Sequence, residues 1–216
     1  MSTNAIPLSA NDAGPTAADQ GHPSSLDFLL SRRSVGQLCE PAPEGGELDW
    51  ILDAGMRAPD HGRLRPWQFV IIRGDSRTAF AEFLVDALKR RDPNATEAMV
   101  DRIRTRILGV PLIVAVGAKI KSEGPIPEIE QLLSAGAAAA NMLNAAHALG
   151  YGAMWVTGAN TYDRSVNEAL GFASPDRLVG LVYVGTPRIE PPVWPRPVAA
   201  NHVREWSGPI SVASRP

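Results

Sequence analysis

Apolar side chains recur every three to four residues along several stretches of the chain, which is the spacing of one face of a helix. In "ELDWILDAGMR", for example, Leu48, Ile51, Leu52 and Met56 share a face. The same spacing predicts helices over about 25–32, 46–56, 95–108 and 163–171, and one that begins at Asp75 or Ser76.

Other stretches are continuously apolar and too short for helices, so they predict strands. They are Trp67 to Ile72, "PLIVAVGAK", "GAMWVTG" and "RLVGLVYVG". Helices and strands therefore follow one another along the chain, with a pair of helices before each of the first two strands. This order predicts an α+β fold in which helices flank a mixed β-sheet.

The longest predicted helix covers about 127–149, with Pro127 at its start and Gly150 after its end. Its centre, "SAGAAAANMLNAA", has mostly small side chains, which let another helix approach closely. The pattern fits a twofold contact with a second copy of the chain, and it fits packing against the chain's own sheet equally well.

Residues 131–162 contain no Asp, Glu, Lys or Arg. Alanine is too weakly hydrophobic to favour insertion, so the segment predicts a buried helix and no membrane span.

Composition divides the chain of 216 residues into three parts. Residues 1–24 contain no Lys or Arg and are rich in small and polar residues, so they predict a disordered tail and no signal peptide. Residues 25–190 predict one folded domain, and residues 191–216 predict an extended, Pro-rich segment that partly wraps a surface. The single cysteine, Cys39, excludes a disulfide framework and fits a cytoplasmic protein.

Net charge and absent motifs exclude several functions. A net charge of −2 argues against nonspecific nucleic-acid binding, which needs a strongly basic surface. The chain has no G-x-G-x-x-G after a strand, no Walker A lysine, no G-x-S-x-G and no H-E-x-x-H. These absences remove support for a Rossmann dehydrogenase, a P-loop NTPase, a serine hydrolase and a zinc protease.

Basic charge is concentrated in two short segments. "SRRS" (residues 31–34) ends the first helix, and "MRAPDHGRLRPW" (residues 56–67) is a loop, because its Pro and Gly residues would break a helix. Arginine presents a fork of donors that suits phosphate, so both segments are candidate anion sites. The simpler explanations are that Arg32 and Arg33 only complement the helix dipole, and that His61 is a solvated loop residue.

Several of these segments together resemble the nitroreductase family, in particular its compact bacterial NAD(P)H-dependent members. The motifs are "RRS" after the first helix, "AGMRAPDH" and "RPW" before the first strand, "SAGAAAANMLNAAHALGYGAMWVTG", and "VGLVYVGTP". They occur in the family's order over residues 25–188. Each motif is weak alone, and the set in order at suitable spacing is fairly specific.

The resemblance implies a nitroreductase-like homodimer, with the long helix as its central dimerisation helix, that binds FMN noncovalently at the dimer interface. Each FMN site would then draw on both chains. The implied FMN-binding residues are the phosphate and ribityl contacts Arg32, Arg33 and Ser34, the flavin contacts Arg57 and His61 in the other chain's site, and the segment Trp155, Val156 and Thr157 along the flavin.

The implied activity is that of an FMN-dependent oxidoreductase. NAD(P)H would deliver hydride to flavin N5, and an electron-poor acceptor such as a nitroaromatic or a quinone would take the electrons in the same pocket, in a ping-pong cycle. The cofactor carries the chemistry, so no residue is predicted to be catalytic and no metal is predicted. Three alternatives stay open: reductive dehalogenation, for which the helix over 95–108 is a possible lid, a non-catalytic FMN-binding or sensing protein, and an interaction domain for an acidic partner.

Two positions depart from the family's pattern. Many relatives carry Lys or Arg shortly after the "RRS" serine, near the flavin pyrimidine, where this chain has Gly36 and Gln37. Close relatives can have Arg where this chain has Val156. Without a replacement for the first cation, the resemblance implies a lower flavin potential than in the broad nitroreductases. Arg196 and Arg204 are alternative candidates for a remaining phosphate contact.

Overall fold

The computed structural model describes residues 26–190 and 194–209 and has the predicted α+β architecture. Short 3-10 turns cover His61–Arg63 and Ala199–Asn201. The helices are α1 (Asp27–Ser31), α2 (Gly45–Gly55), α3 (Ser76–Arg91), α4 (Glu97–Leu108), α5 (Glu128–Ala148), α6 (Ala159–Tyr162) and α7 (Arg164–Ala169). The strands are β1 (Leu38–Cys39), β2 (Trp67–Arg73), β3 (Leu112–Ala118), β4 (Gly152–Val156) and β5 (Arg177–Pro187).

The long strand β5 organises the sheet, because three other strands pair with it. β3 pairs with β5 and also with β2, β4 pairs with residues 181–185, and β1 pairs with the last two residues of β5. All of these pairs are antiparallel. Within the described residues, the parallel part of the predicted mixed sheet is limited to one bridge between Ser34 and Ala153.

Helices cover both faces of the sheet. All seven residues of β3 are buried, and alternate side chains of a strand point to opposite faces. Val114 and Val182 belong to the core cluster that α2 and α5 complete. Ile113 and Leu181 belong to the cluster that α3 and α4 complete. The continuous apolar run that predicted a buried strand is therefore explained by helices on both sides.

The long helix α5 has one buried face and one exposed face. Its buried side packs on the sheet and on α2, where Asn141 Nδ2 donates to the Ala54 carbonyl at 3.1 Å. The opposite side exposes Ile129 and Leu133, with 57% and 65% of their surface accessible. Packing against the chain's own sheet is thus confirmed, and the exposed apolar face leaves a contact with a second copy as a prediction.

The predicted elements are present, with ends that differ by a few residues. The sequence pattern missed β1 and α6, which have two and four residues. The tail over 1–24 and the segments 191–193 and 210–216 lie outside the described residues, so the three-part division of the chain stays a prediction. Among the helices of residues 26–190 and 194–209, none is long and apolar enough to cross a membrane.

Candidate functional site

The first basic segment leaves α1 and runs beside β4. The backbone becomes extended at Arg32, the C-cap residue of α1, whose ψ angle is 133°. Ser34 then bridges Ala153 of β4, and the Val35 N–H donates to the Ala153 carbonyl at 2.9 Å. These backbone contacts hold Arg32, Arg33 and Ser34 against the start of β4.

The Arg32 side chain lacks a partner in the described part of the chain. Its Nη1 is buried and makes no hydrogen bond there. A buried donor left unpaired costs about 1–3 kcal/mol, so native structures rarely keep one without a ligand or another reason. The titratable neighbour is His147, whose Nε2 lies 3.0 Å from Ser31 Oγ. Burial, and then the positive charge of Arg32, lowers the pKa of His147. The position of Arg32 therefore favours an anionic ligand.

Arg33 and Ser34 line a pocket that the C-terminal segment completes. The pocket has a volume of about 340 Å³, and Trp194 and Arg196 form its other side. The Arg196 guanidinium donates a hydrogen bond to the Arg32 carbonyl. The lining residues within the described part of the chain include no Asp or Glu. Arg196 is therefore the better of the two arginines that the sequence left as candidate phosphate contacts.

The second basic segment is a loop fixed by hydrogen bonds. Ser134 Oγ of α5 donates to the Pro59 carbonyl at 2.7 Å, and the Arg65 N–H donates to the Asp60 carboxylate at 2.7 Å. Arg63 and Arg65 have φ of 54° and 51°, a left-handed conformation that non-glycine residues rarely adopt. Strain of this kind persists where the surroundings hold it in place, and it is concentrated at functional sites.

Arg57 and His61 lie away from the first basic segment within one chain. Arg57 lines a pocket with Arg65 and Trp67. His61 Nδ1 lies 2.6 Å from Glu130 Oε2 on α5 of the same chain. Neither Arg57 nor His61 shares a pocket or a hydrogen bond with the "RRS" segment in the described structure. Their service to the site of a second chain stays a prediction.

The three consecutive residues at the end of β4 face different ways. The Trp155 ring is held between α5 and β5: a Cβ added at Gly180 would lie 2.0 Å from its Nε1, and one at Gly136 would lie 3.4 Å from its Cη2. Its Nε1 is buried without a partner in the described chain. Val156 and Thr157 line a cavity that also contacts α3 and α4. The indole packs against the core cluster of α2 and α5, and the residue as a whole is half-buried.

The helix α4 brings arginines to the position where the family's cation is missing. Arg102 and Arg106 line the cavity of Val156 and Thr157, and they also line a second pocket together with Gly36 and Gln37. The helix buries Val100 and Ile107 and packs against α3, so it is a wall of the cavity. Sequence reasoning missed this role, although the spacing of four residues does put the two arginines on one helix face.

The nitroreductase family model matches residues 29–186. The chain belongs to the nitroreductase family. Membership in the nitroreductase family gives the general class of activity, an oxidoreductase. A protein of Escherichia coli strain K12, provisionally named NAD(P)H nitroreductase YdjA, is 40% identical over 166 residues, which are 77% of this chain and 90% of that protein.

Solved structures show the same fold. A nitroreductase-like family protein from Bacillus cereus superposes with a TM-score of 0.73 at 22% identity, over 88% of this chain and 99% of that one. A protein from Desulfovibrio desulfuricans, provisionally named a nitroreductase and solved in complex with FMN, superposes with a TM-score of 0.65 at 26% identity, over 85% and 98% of the two chains. The predicted family and its nitroreductase-like fold are therefore confirmed.

Proposed function

We propose that this protein is an FMN-dependent oxidoreductase that uses NAD(P)H to reduce electron-poor acceptors such as nitroaromatics or quinones. The observation that carries the proposal is the buried Arg32 Nη1, which has no partner among the described residues and lies beside the pocket that Arg196 completes. Arginine forks bind phosphate with charge-assisted hydrogen bonds, so these residues fit the FMN phosphate. The FMN complex of the Desulfovibrio desulfuricans relative supports the same ligand.

The chain's own residues divide the work of binding. Arg32, Arg33, Ser34 and Arg196 would hold the phosphate and ribityl groups, and the backbone at the end of β4 with the Thr157 hydroxyl would lie along the ring system. When bound, FMN supplies the redox chemistry, taking hydride at N5 from NAD(P)H and passing electrons to the acceptor in a ping-pong cycle. The protein binds, orients and excludes water, and we assign no acid or base to it.

Arginines from other parts of the chain lie close to Gly36 and Gln37, where many relatives carry a cation. They bear on the reduction potential of the bound flavin. Gly36 and Gln37 share their pocket with three arginines, Arg102, Arg106 and Arg188, and with one acidic residue, Asp101. Arg188 is held there, because its Nε donates to the Leu38 carbonyl at 2.7 Å and its N–H to the Gln37 carbonyl at 2.9 Å. Positive charge close to that position removes the reason to expect a lower potential.

We propose that a second copy completes each FMN site. The exposed side of α5 carries Ile129 and Leu133 and continues through the small residues Gly136, Ala137 and Ala140. An exposed apolar patch followed by small side chains suits close packing of two equivalent helices. The homodimer would bring Arg57 and His61 of one chain to the "RRS" segment of the other.

NAD(P)H use and a single unpaired cysteine fit a cytoplasmic location.

The test is a visible spectrum of the purified protein after FMN has been added and free FMN removed. NADPH and then NADH are added without oxygen, followed by a quinone. Bleaching by either nicotinamide and recovery with the quinone are expected. Bound flavin that never bleaches would favour a non-catalytic FMN-binding or sensing protein. A protein that binds no FMN would contradict the proposal outright.

A further inference from the structure

The cavity beside Val156 and Thr157 has the size and lining of a small-molecule site. Its volume is about 310 Å³, and it lies between α3, α4, the middle of β5 and the segment 156–161. Small-molecule pockets are mostly apolar and begin at about 300 Å³, which suits a ligand with one or two rings. The apolar lining includes Leu84, Leu88, Met99, Ile103, Ile107 and Leu181.

Tyr183 brings a hydroxyl group to the wall of this cavity. The residue is 4% exposed, lines the cavity from β5, and makes no hydrogen bond to any other described residue. Burial raises the pKa of Tyr183 to about 12, so its hydroxyl stays protonated at neutral pH. The hydroxyl is therefore available to donate a hydrogen bond to an oxygen of a ligand in the cavity.

Two arginines at the rim lack acidic partners. Arg102 and Arg106 lie one turn apart on α4, and neither makes an ion pair within the described residues. Arg104, which lies between them in sequence, faces elsewhere and pairs with Glu82 at 2.7 Å. In residues 26–190 and 194–209, no Asp or Glu lines the cavity. Like charges one turn apart repel each other, so the rim is arranged to favour an anion.

We propose that this cavity binds a small aromatic carboxylate, with its ring among the apolar side chains and its carboxylate at Arg102 and Arg106. The guanidinium fork matches the geometry of a carboxylate, and Tyr183 donates to an oxygen of the ligand. Val156 and Thr157 line the same cavity and belong to the implied flavin contacts. An aromatic carboxylate would thus be the preferred class of electron acceptor, and only this consequence rests on the proposed function.

The test measures binding of benzoate and of its neutral analogue benzamide by calorimetry, because neither compound is reduced. FMN-loaded wild-type protein is expected to bind benzoate at least about tenfold more tightly than benzamide. Replacing Arg102 and Arg106 together by Met should remove that difference while benzamide binding is retained. Y183F should weaken both ligands by about three- to tenfold. R104M is the matched control on the same helix and should bind as the wild type does.

Three results would overturn the inference. They are equal binding of benzoate and benzamide, a loss in R104M as large as that in the double variant, and displacement of FMN by benzoate, which would make the cavity the flavin's own pocket. Titration of FMN-free protein separates the two proposals. A protein that binds FMN but not benzoate keeps the proposed function and loses this inference. A protein that binds benzoate through the arginines but never binds FMN keeps the inference and loses the proposed function.

Discussion

Replacing Arg32 by methionine is expected to change FMN affinity and protein stability in opposite directions. In the protein alone, the Arg32 Nη1 is buried and unpartnered within the described residues, so this side chain carries an unrelieved cost. Methionine places a flexible apolar chain in the same space and has no donor to leave unpaired. The FMN-free protein should therefore gain stability, while the FMN-bound protein loses a contact.

The two magnitudes follow from the same guanidinium. Relief of an unpaired buried donor is worth about 1–3 kcal/mol, which sets the upper limit of the gain in unfolding free energy. For a chain of this size, each kcal/mol moves Tm by about 2–4 °C. A hydrogen bond between a charged group and phosphate is worth about 1.5–3 kcal/mol, so the Kd for FMN should rise about 10- to 150-fold.

Thermal melts without FMN and a fluorescence titration with FMN measure both quantities on the same samples. Arg204→Met is the matched control: Arg204 is exposed and does not line the pocket of Arg33, Ser34 and Arg196, so neither quantity should change. The reasoning fails if R32M lowers the Tm of the FMN-free protein by several degrees and leaves FMN affinity unchanged. That result would make Arg32 a structural residue.

Three further substitutions test other parts of the site. His61→Ala should weaken FMN binding in a titration while Tm shifts little, because the contact of His61 with Glu130 is exposed. Unchanged FMN affinity would count against the implied role of His61. Gly180→Ala should lower Tm by several degrees, since its Cβ would lie 2.0 Å from the Trp155 indole, whereas Gly46→Ala has open space and should not; equal melts would refute the packing argument. The folded structure lowers the pKa of His147. As the pH falls, the unfolded chain therefore binds a proton at this residue at a higher pH than the folded chain does. The free energy of unfolding should then decrease as the pH drops through and below about 6.5. Urea midpoints at about pH 7.5 and 5.5 should show this loss, and His147→Gln should reduce it.

The fold could be predicted wherever its causes are local. The bounds of α5 follow from Pro127 at its start and Gly150 after its end, and the burial of β3 follows from its uninterrupted apolar run. The two residues of β1 carry no such signal, because their conformation depends on pairing with Thr186 and Pro187. The antiparallel direction of the strand pairs is likewise decided by contacts between distant segments.

The candidate site could be predicted only in pieces. Family motifs made Arg32, Arg33 and Ser34 candidates, but spacing says nothing about a contact with Arg196, 164 residues away from Arg32. The same limit applies to α4, whose arginines reach the pocket of Gly36 and Gln37 only after the chain has folded. Helical spacing distinguishes the face of Arg102 and Arg106 from that of Arg104, and it does not reveal which face meets a cavity.

The two candidate binding pockets are distinguished less by the arginines that they contain than by the acidic residues that their described linings lack. The chain has 23 acidic and 21 basic residues, so its overall field attracts no polyanion. Many cations have acidic partners, as in the pairs of Arg104 with Glu82 and Lys119 with Asp176. Among the described residues, no Asp or Glu lines the pocket that Arg196 completes or the cavity of Val156 and Thr157. We therefore expect local positive charge in an acidic chain to favour small anions that enter a pocket, as the proposed phosphorylated cofactor and the proposed anionic acceptor would require.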